Sequence, residues 1–213
     1  MSVAVLCRGT SLAHIDRVPE VDQYIIVNRF GDELENETIS SRLIDKELTQ
    51  VLSLVPDEPK LMVERGHYKK FNVVEFVLPY LKETIPGPPP QIIGRGGYIP
   101  TRVLGDVHKD YMITNNPRYA YCYPTSGIAS VAYATLECNV TEVHIIGLDF
   151  YETAYAYGKE FPSDEVAIRR GEDSLKMRAF LKNFIVFNPY TLFNIYTHST
   201  FNPNLENVKV IKV

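Results

Sequence analysis

Short runs of aliphatic and β-branched residues alternate along this chain with longer stretches in which apolar positions recur every three or four residues. That alternation predicts an α/β fold, with a mainly parallel sheet flanked by crossover helices. Val3 to Cys7 and Gln23 to Asn28 read as the first two strands. From Ile39 to Leu54, the spacing of Leu43, Ile44, Leu48, Val51 and Leu52 predicts a helix. Lys60 to Glu64 reads as a third strand, and Phe71 to Lys82 as a helix burying Val74, Phe76, Val77 and Tyr80. The run Pro86-Gly87-Pro88-Pro89-Pro90 can continue neither a helix nor a central strand. Because Gln91 to Gly94 is strand-like again, the prolines read as a surface loop and residues 1–213 as a single domain. Ser126 to Glu137 is a helix capped by Thr125 or Ser126, and Val143 to Gly147 is the clearest strand. Helix 172–184 and strands 193–197 and 207–212 follow. Periodicity is lost between Tyr151 and Gly171, which marks residues 152–171 as a small flexible lid.

Composition narrows the function classes. The 213 residues are 45% hydrophobic and 23% charged, as in an ordinary globular protein. With 22 Lys+Arg against 26 Asp+Glu the net charge is -4, which offers no basic excess for a nucleic-acid backbone. No apolar run approaches the ~20 residues that span a bilayer, so any membrane association is expected to be peripheral. The opening MSVAVLCRG lacks the features of a signal peptide. Cys7, Cys122 and Cys138 are odd in number without CxxC spacing, which points to a reducing, cytoplasmic setting. The sequence is compatible with a homo-oligomer.

Parallel sheets bind ligands beyond the carboxyl ends of their strands, and three strand-end segments carry suitable groups. Arg8-Gly9-Thr10-Ser11-Leu12 follows the first strand; it is either an anion-binding turn or an ordinary capped one. Pro124-Thr125-Ser126-Gly127 opens a helix, where hydroxyls and free N–H groups can hold a phosphate or simply cap the helix. Gly147-Leu148-Asp149-Phe150-Tyr151 ends the clearest strand; Asp149 suits sugar hydroxyls or a turn cap. Tyr151, Tyr155 and Tyr157 can donate hydrogen bonds to a developing phosphate charge, or pack together. There is no Asp-x-Asp and no ligand-spaced His/Cys/Asp set, so no metal and no cofactor is expected.

The order of these blocks, with Ile25-Ile26-Val27-Asn28-Arg29-Phe30 between the first two, resembles the bacterial sialyltransferases of glycosyltransferase family 42, as a remote relative. The resemblance covers residues 3–30 and 124–157, and more loosely 172–200. It implies a Rossmann-like sheet with a lid, and a metal-independent inverting transfer of sialic acid or a related sugar from a cytidine-monophosphate (CMP) donor. The partners it implies are a nucleotide-sugar donor and a glycan acceptor. Gly9, with Thr10 and Ser11, falls in the family's first nucleotide-contacting turn, and Asn28 on its donor-contacting asparagine. Thr125, Ser126 and Gly127 fall on its donor cradle, with Asp149 at the neighbouring strand end. Tyr151 matches the tyrosine that bonds the donor phosphate, and Tyr157 its lid partner, a role Tyr155 takes if the loop is two residues shorter.

The family's lid histidine has no counterpart before the helix at Glu172, where Arg169, Arg170 and Gly171 stand. Nor is the family's basic residue ahead of Thr-Ser-Gly present, since Tyr123-Pro124 precede it here. Of the other bases, His198 closes strand 193–197 and so belongs at the carboxyl-end crevice, as a general base or as a structural hydrogen-bonding residue. Glu172 and Asp173 are the carboxylate alternatives, while His144 reads as packed core. The expected activity is therefore a sialyltransferase-like glycosyl transfer. The alternatives are a nucleotide- or sugar-binding protein on the same scaffold that has lost catalysis, and an unrelated Rossmann-type transferase.

Overall fold

The first apolar run forms strand β1 (Ser2–Leu6), whose last four residues are buried on both faces. This computed structural model describes residues 1–52, 58–79, 91–104, 125–153, 156–157 and 174–213. After β1 come a 3-10 segment (Thr10–Arg17), β2 (Gln23–Val27), a short 3-10 turn (Glu33–Glu35), helix α1 (Glu37–Leu43) and β3 (Glu47–Val51). Helices α2 (Glu58–Glu64) and α3 (His67–Lys70) lead into β4 (Asn72–Leu78). A small antiparallel pair, β5 (Ile93–Gly94) with β6 (Gly97–Tyr98), precedes β7 (Thr101–Val103). Helix α4 (Ser126–Glu137), β8 (Glu142–Ile146), α5 (Ser174–Phe187), β9 (Leu192–Thr197) and β10 (Val208–Lys212) complete the order.

Eight strands form one sheet in the order β10-β9-β8-β1-β2-β3-β4-β7, and every neighbouring pair is parallel. The chain moves outward from β1 to β7, returns to lay β8 on the other side of β1, and moves outward again. That reversal places a topological switch point between β1 and β8, as in a Rossmann-like fold. Alternate residues of β1 feed two cores. Val3 and Val5 join Ile25, Val143 and Ile145 under α4 and α5. Ala4 and Leu6 join Tyr24 and Ile26 under the 3-10 segment, α1 and α2. A parallel sheet covered on both faces accounts for the continuous apolar runs.

Three elements differ from expectation. The helix predicted over 39–54 is α1 followed by β3. Leu48 and Val51 mimic helical spacing but lie in the two opposite cores, and the polar pair between them is wholly buried. Thr49 Oγ1 accepts from Gln23 Nε2 (3.0 Å), and Gln50 Oε1 from Tyr68 Oη (2.8 Å), so those polar atoms are satisfied inside the sheet. The helix predicted over 71–82 is β4, described as far as residue 79. Its register against β3 slips between Leu48 and Thr49, from Leu48 opposite Val73 to Thr49 opposite Glu75. The extra residue puts Val73 and Phe76 into the same core, with Val77 in the other, and so imitates an i, i+3, i+4 helix. The strand predicted over 60–64 is part of α2, burying Met62 and exposing Val63. Helix Ser126–Glu137 has its expected bounds, and the remaining boundaries shift by at most three residues, helix 172–184 becoming Ser174–Phe187. Most of the predicted lid, residues 80–90 with their prolines, and the Tyr123-Pro124 step lie outside the described residues. Among the described residues no helix is long and apolar enough to cross a membrane.

Candidate functional site

The carboxyl ends of β1, β2 and β8 and the first turn of α4 converge on one cavity. Two backbone bonds tie the β1 and β8 ends together: Cys7 N–H to Ile146 O (2.8 Å) and Gly9 N–H to Gly147 O (2.7 Å). The approach is so close that glycine is required. A Cβ on Gly147, whose φ is 78°, would lie 2.2 Å from Cys7 O. A Cβ on Gly9 would lie 2.6 Å from Asp149 Oδ2. The cavity measures about 90 Å³ and opens to one side. Sites for whole drug-sized ligands measure roughly 300–1,000 Å³, so the cavity among the described residues is a small one.

Sequence analysis singled out Gly9, Asn28, Thr125, Ser126, Gly127, Asp149 and Tyr151, and all of them line this cavity, although they come from four separate stretches of chain. Asn28 (φ 50°), Phe150 (φ 50°) and Tyr151 (φ 61°) hold left-handed backbone, a conformation costly for non-glycine residues and concentrated at functional sites. Gln50 helps to hold Asn28, its Nε2 donating to Asn28 O at 2.6 Å. Thr125 is the extended N-cap of α4, with no side-chain capping bond, and the first-turn N–H groups of Ser126 and Gly127 have no intrahelical acceptor.

Asp149 is the hub of the surrounding bonds. Its Oδ2 accepts from Ser11 N (2.8 Å), Thr153 Oγ1 (3.2 Å) and Thr10 Oγ1 (3.5 Å). Its Oδ1 accepts from Ser11 Oγ (2.8 Å), Thr197 Oγ1 (2.8 Å) and His198 N (3.0 Å). The carboxylate thus joins the ends of β1, β8 and β9, and its lone pairs are engaged within the protein. Ser11 is fully buried and likewise committed, since its hydroxyl also accepts from Gly147 N (2.9 Å). The loop after Asp149 is fastened further by Glu152, which pairs with Arg178 of α5 and accepts from Thr200 N at 2.6 Å.

The other predicted residues lie off this wall. His198 is exposed, with Nδ1 2.8 Å from Thr10 Oγ1 and its ring edge-on to His14 at 5.4 Å. Thr10 therefore links the His198 ring to Asp149, to which the His198 backbone N–H donates directly. Tyr157 is half-buried and packs in the core on the opposite face of the sheet from the one Tyr151 contacts. Burial, and then the charge of Glu33, push its phenol above the usual range. Tyr155, Glu172 and Asp173 lie outside the described residues. His144 is core, as expected, with Nδ1 3.3 Å from Tyr196 Oη.

Sequence reasoning missed Arg8, Thr153 and Met177 on the wall, and Glu33 behind it. Arg8 was legible, since it adjoins Gly9 at a strand end. Glu33 was not, because nothing in Glu33-Leu34-Glu35 distinguishes a buried acid from a solvated one. Cys7 also lines the cavity, and burial with the nearby Asp149 carboxylate drives its thiol far up, so it acts as a neutral apolar wall. Among the described residues no group of three or more His, Cys, Asp or Glu could hold a metal ion. Comparison with known proteins gave no match: no protein-family model, curated protein or solved structure is significantly similar to the chain.

Proposed function

We propose that this chain is a sialyltransferase-like glycosyltransferase that uses a CMP-activated sugar. The observation that carries the reading is the convergence of Gly9, Asn28, Thr125–Gly127 and Tyr151 on one cavity at the switch point of the sheet. In the reaction an acceptor hydroxyl attacks the anomeric carbon as the bond from that carbon to the phosphate oxygen breaks. The proton passes to a base, and CMP leaves carrying the extra negative charge. In this reading the α4 N-terminus, the Thr125 hydroxyl and the Tyr151 phenol stabilise that charge by hydrogen bonding and the helix dipole. The base is His198 in this reading, reached by the acceptor at the rim beside Thr10. The free, buried thiol of Cys7 suits a reducing, cytoplasmic setting.

The position of His198 off the cavity wall favours one second reading, a nucleotide-binding protein on the same scaffold without transfer activity. Thermal shift with CMP against S-adenosylmethionine tests the ligand class, and hydrolysis or transfer of a CMP-sugar then separates enzyme from binder. Tyr151→Phe should lower turnover by ~10²–10³, the usual cost of losing one well-placed donor, with an almost unchanged melting temperature. A melting rise with S-adenosylmethionine alone would refute the reading.

A further inference from the structure

His198 follows the last residue of β9 with its side chain exposed, yet it is held at three points. Its backbone N–H donates to Asp149 Oδ1 at 3.0 Å. Its ring lies edge-on to that of His14, with centroids 5.4 Å apart. Its Nδ1 is 2.8 Å from Thr10 Oγ1. The other ring nitrogen, Nε2, has no hydrogen-bond partner among the described residues.

Thr10 decides which ring nitrogen carries the proton. Its hydroxyl has one hydrogen and lies between the His198 ring and Asp149 Oδ2, the latter at 3.5 Å. An ionised carboxylate can only accept, so the hydroxyl donates toward Asp149 and accepts from the ring. A neutral imidazole has one N–H, which this bond places on Nδ1, leaving the lone pair on Nε2. Donation from Thr10 to Nδ1 instead would turn the hydroxyl's lone pairs toward the negative carboxylate, an electrostatically poorer arrangement.

We propose that Thr10 is a positioning residue: bridging Asp149 and His198, it holds the imidazole as the Nδ1–H tautomer, with Nε2 presented as the base for an acceptor hydroxyl. The inference rests on reading His198 as the base of the transfer, and it adds which nitrogen acts and what orients it. In that step the acceptor O–H bond breaks and its proton passes to Nε2. The oxygen's electron pair forms the bond to the anomeric carbon, and the bond from that carbon to the phosphate oxygen breaks with its pair leaving on CMP. The imidazolium so formed faces the Asp149 carboxylate across Thr10.

The test pairs a tautomer measurement with kinetics on the full chain. Nitrogen-15 NMR of the imidazoles at about pH 8.5, roughly two units above the ordinary histidine value, reports which nitrogen is protonated. The spectrum of His198→Gln assigns the resonance. His198 should be Nδ1-protonated in the wild type and in Thr10→Ser. In Thr10→Val, which keeps the side-chain shape and loses the hydroxyl, it should move to the Nε2–H form or a mixture. Transfer from a CMP-sugar should fall about 10–100-fold in kcat for Thr10→Val, with KM nearly unchanged, and recover in Thr10→Ser. His198→Gln should lose about 10²–10⁴-fold. An Nε2–H tautomer in the wild type, a tautomer indifferent to Thr10→Val, or equal kcat in the wild type and Thr10→Val overturns the proposal. Full activity in His198→Gln, or no transfer by the wild type, defeats the reading of His198 as base and with it the catalytic use of Thr10, while the NMR result decides the hydrogen-bond assignment separately.

Discussion

At the scale of single residues, the site is organised by a carboxylate that faces inward. Asp149 accepts from the backbone and hydroxyl of Ser11 and from Thr197, all of them buried, as well as from groups nearer the rim. Replacing it with alanine would strand those donors away from water, at about 1–3 kcal/mol for each fully buried group. Asp149→Ala should therefore lose about 3 kcal/mol or more in denaturant unfolding, and Ser11→Ala less, because it strands only the Gly147 N–H while the carboxylate keeps its other donors. Equal, small losses in the two variants would show that the network is not the joint described here. Residue chemistry at the strand ends was legible where a glycine, hydroxyl or acid followed an apolar run. What could not be read was the direction of each group. Asp149 and Ser11, expected to touch ligand, spend their hydrogen bonds on each other, and that pairing depends on two strands 138 positions apart in the chain.

At the scale of elements, periodicity served where a strand or helix met one rule throughout. It worked for β1, β2, β8 and α4, whose buried residues follow an unbroken pattern. It failed at β3 and β4, because buried polar residues interrupt the first and a bulge resets the second. The structure separates the two readings of 71–82 by burial. Phe76 is fully buried, with its ring 5.4 Å from that of Tyr68, whereas Val74, an inner position in the helical reading, is only half-buried. Phe76→Ala should cost about 3–5 kcal/mol, as large core truncations do. Val74→Ala should cost about 1 kcal/mol or less, in the range of partly exposed sites. Comparable losses for the two would favour the helix.

Across the whole molecule, two buried histidines couple stability to pH. His67 and His144 both have pKa values lowered from the ordinary 6.5, chiefly by burial, with Glu35 and Glu142 pulling the other way. Near that value the folded state binds fewer protons than the unfolded chain, so stability rises with pH. Their contribution is complete above about 6.5 and is lost as the pH falls through that value toward the folded pKa values. Glu33 acts in the opposite sense: its carboxyl is raised from 4.5 by burial, so its contribution is complete below that value and fades as the pH climbs from there. The melting temperature should thus fall between about pH 7.5 and 5.5, and His144→Gln should flatten that slope. An unchanged slope in His144→Gln would mean that this imidazole is protonated as readily folded as unfolded.

The α/β architecture was legible from alternation, and a shared crevice at the strand ends was expected from the parallel sheet and the resemblance; the strand order, with β8 returning beside β1, was not legible. If the proposed function holds, that meeting place is where ligand binds. Hydrogen exchange with and without CMP measures this directly. Slower exchange at residues 8–11, 125–128 and 147–153, with the outer strands β7 and β10 unaffected, is the predicted result. No change in those three segments, or protection confined to another part of the molecule, would contradict it.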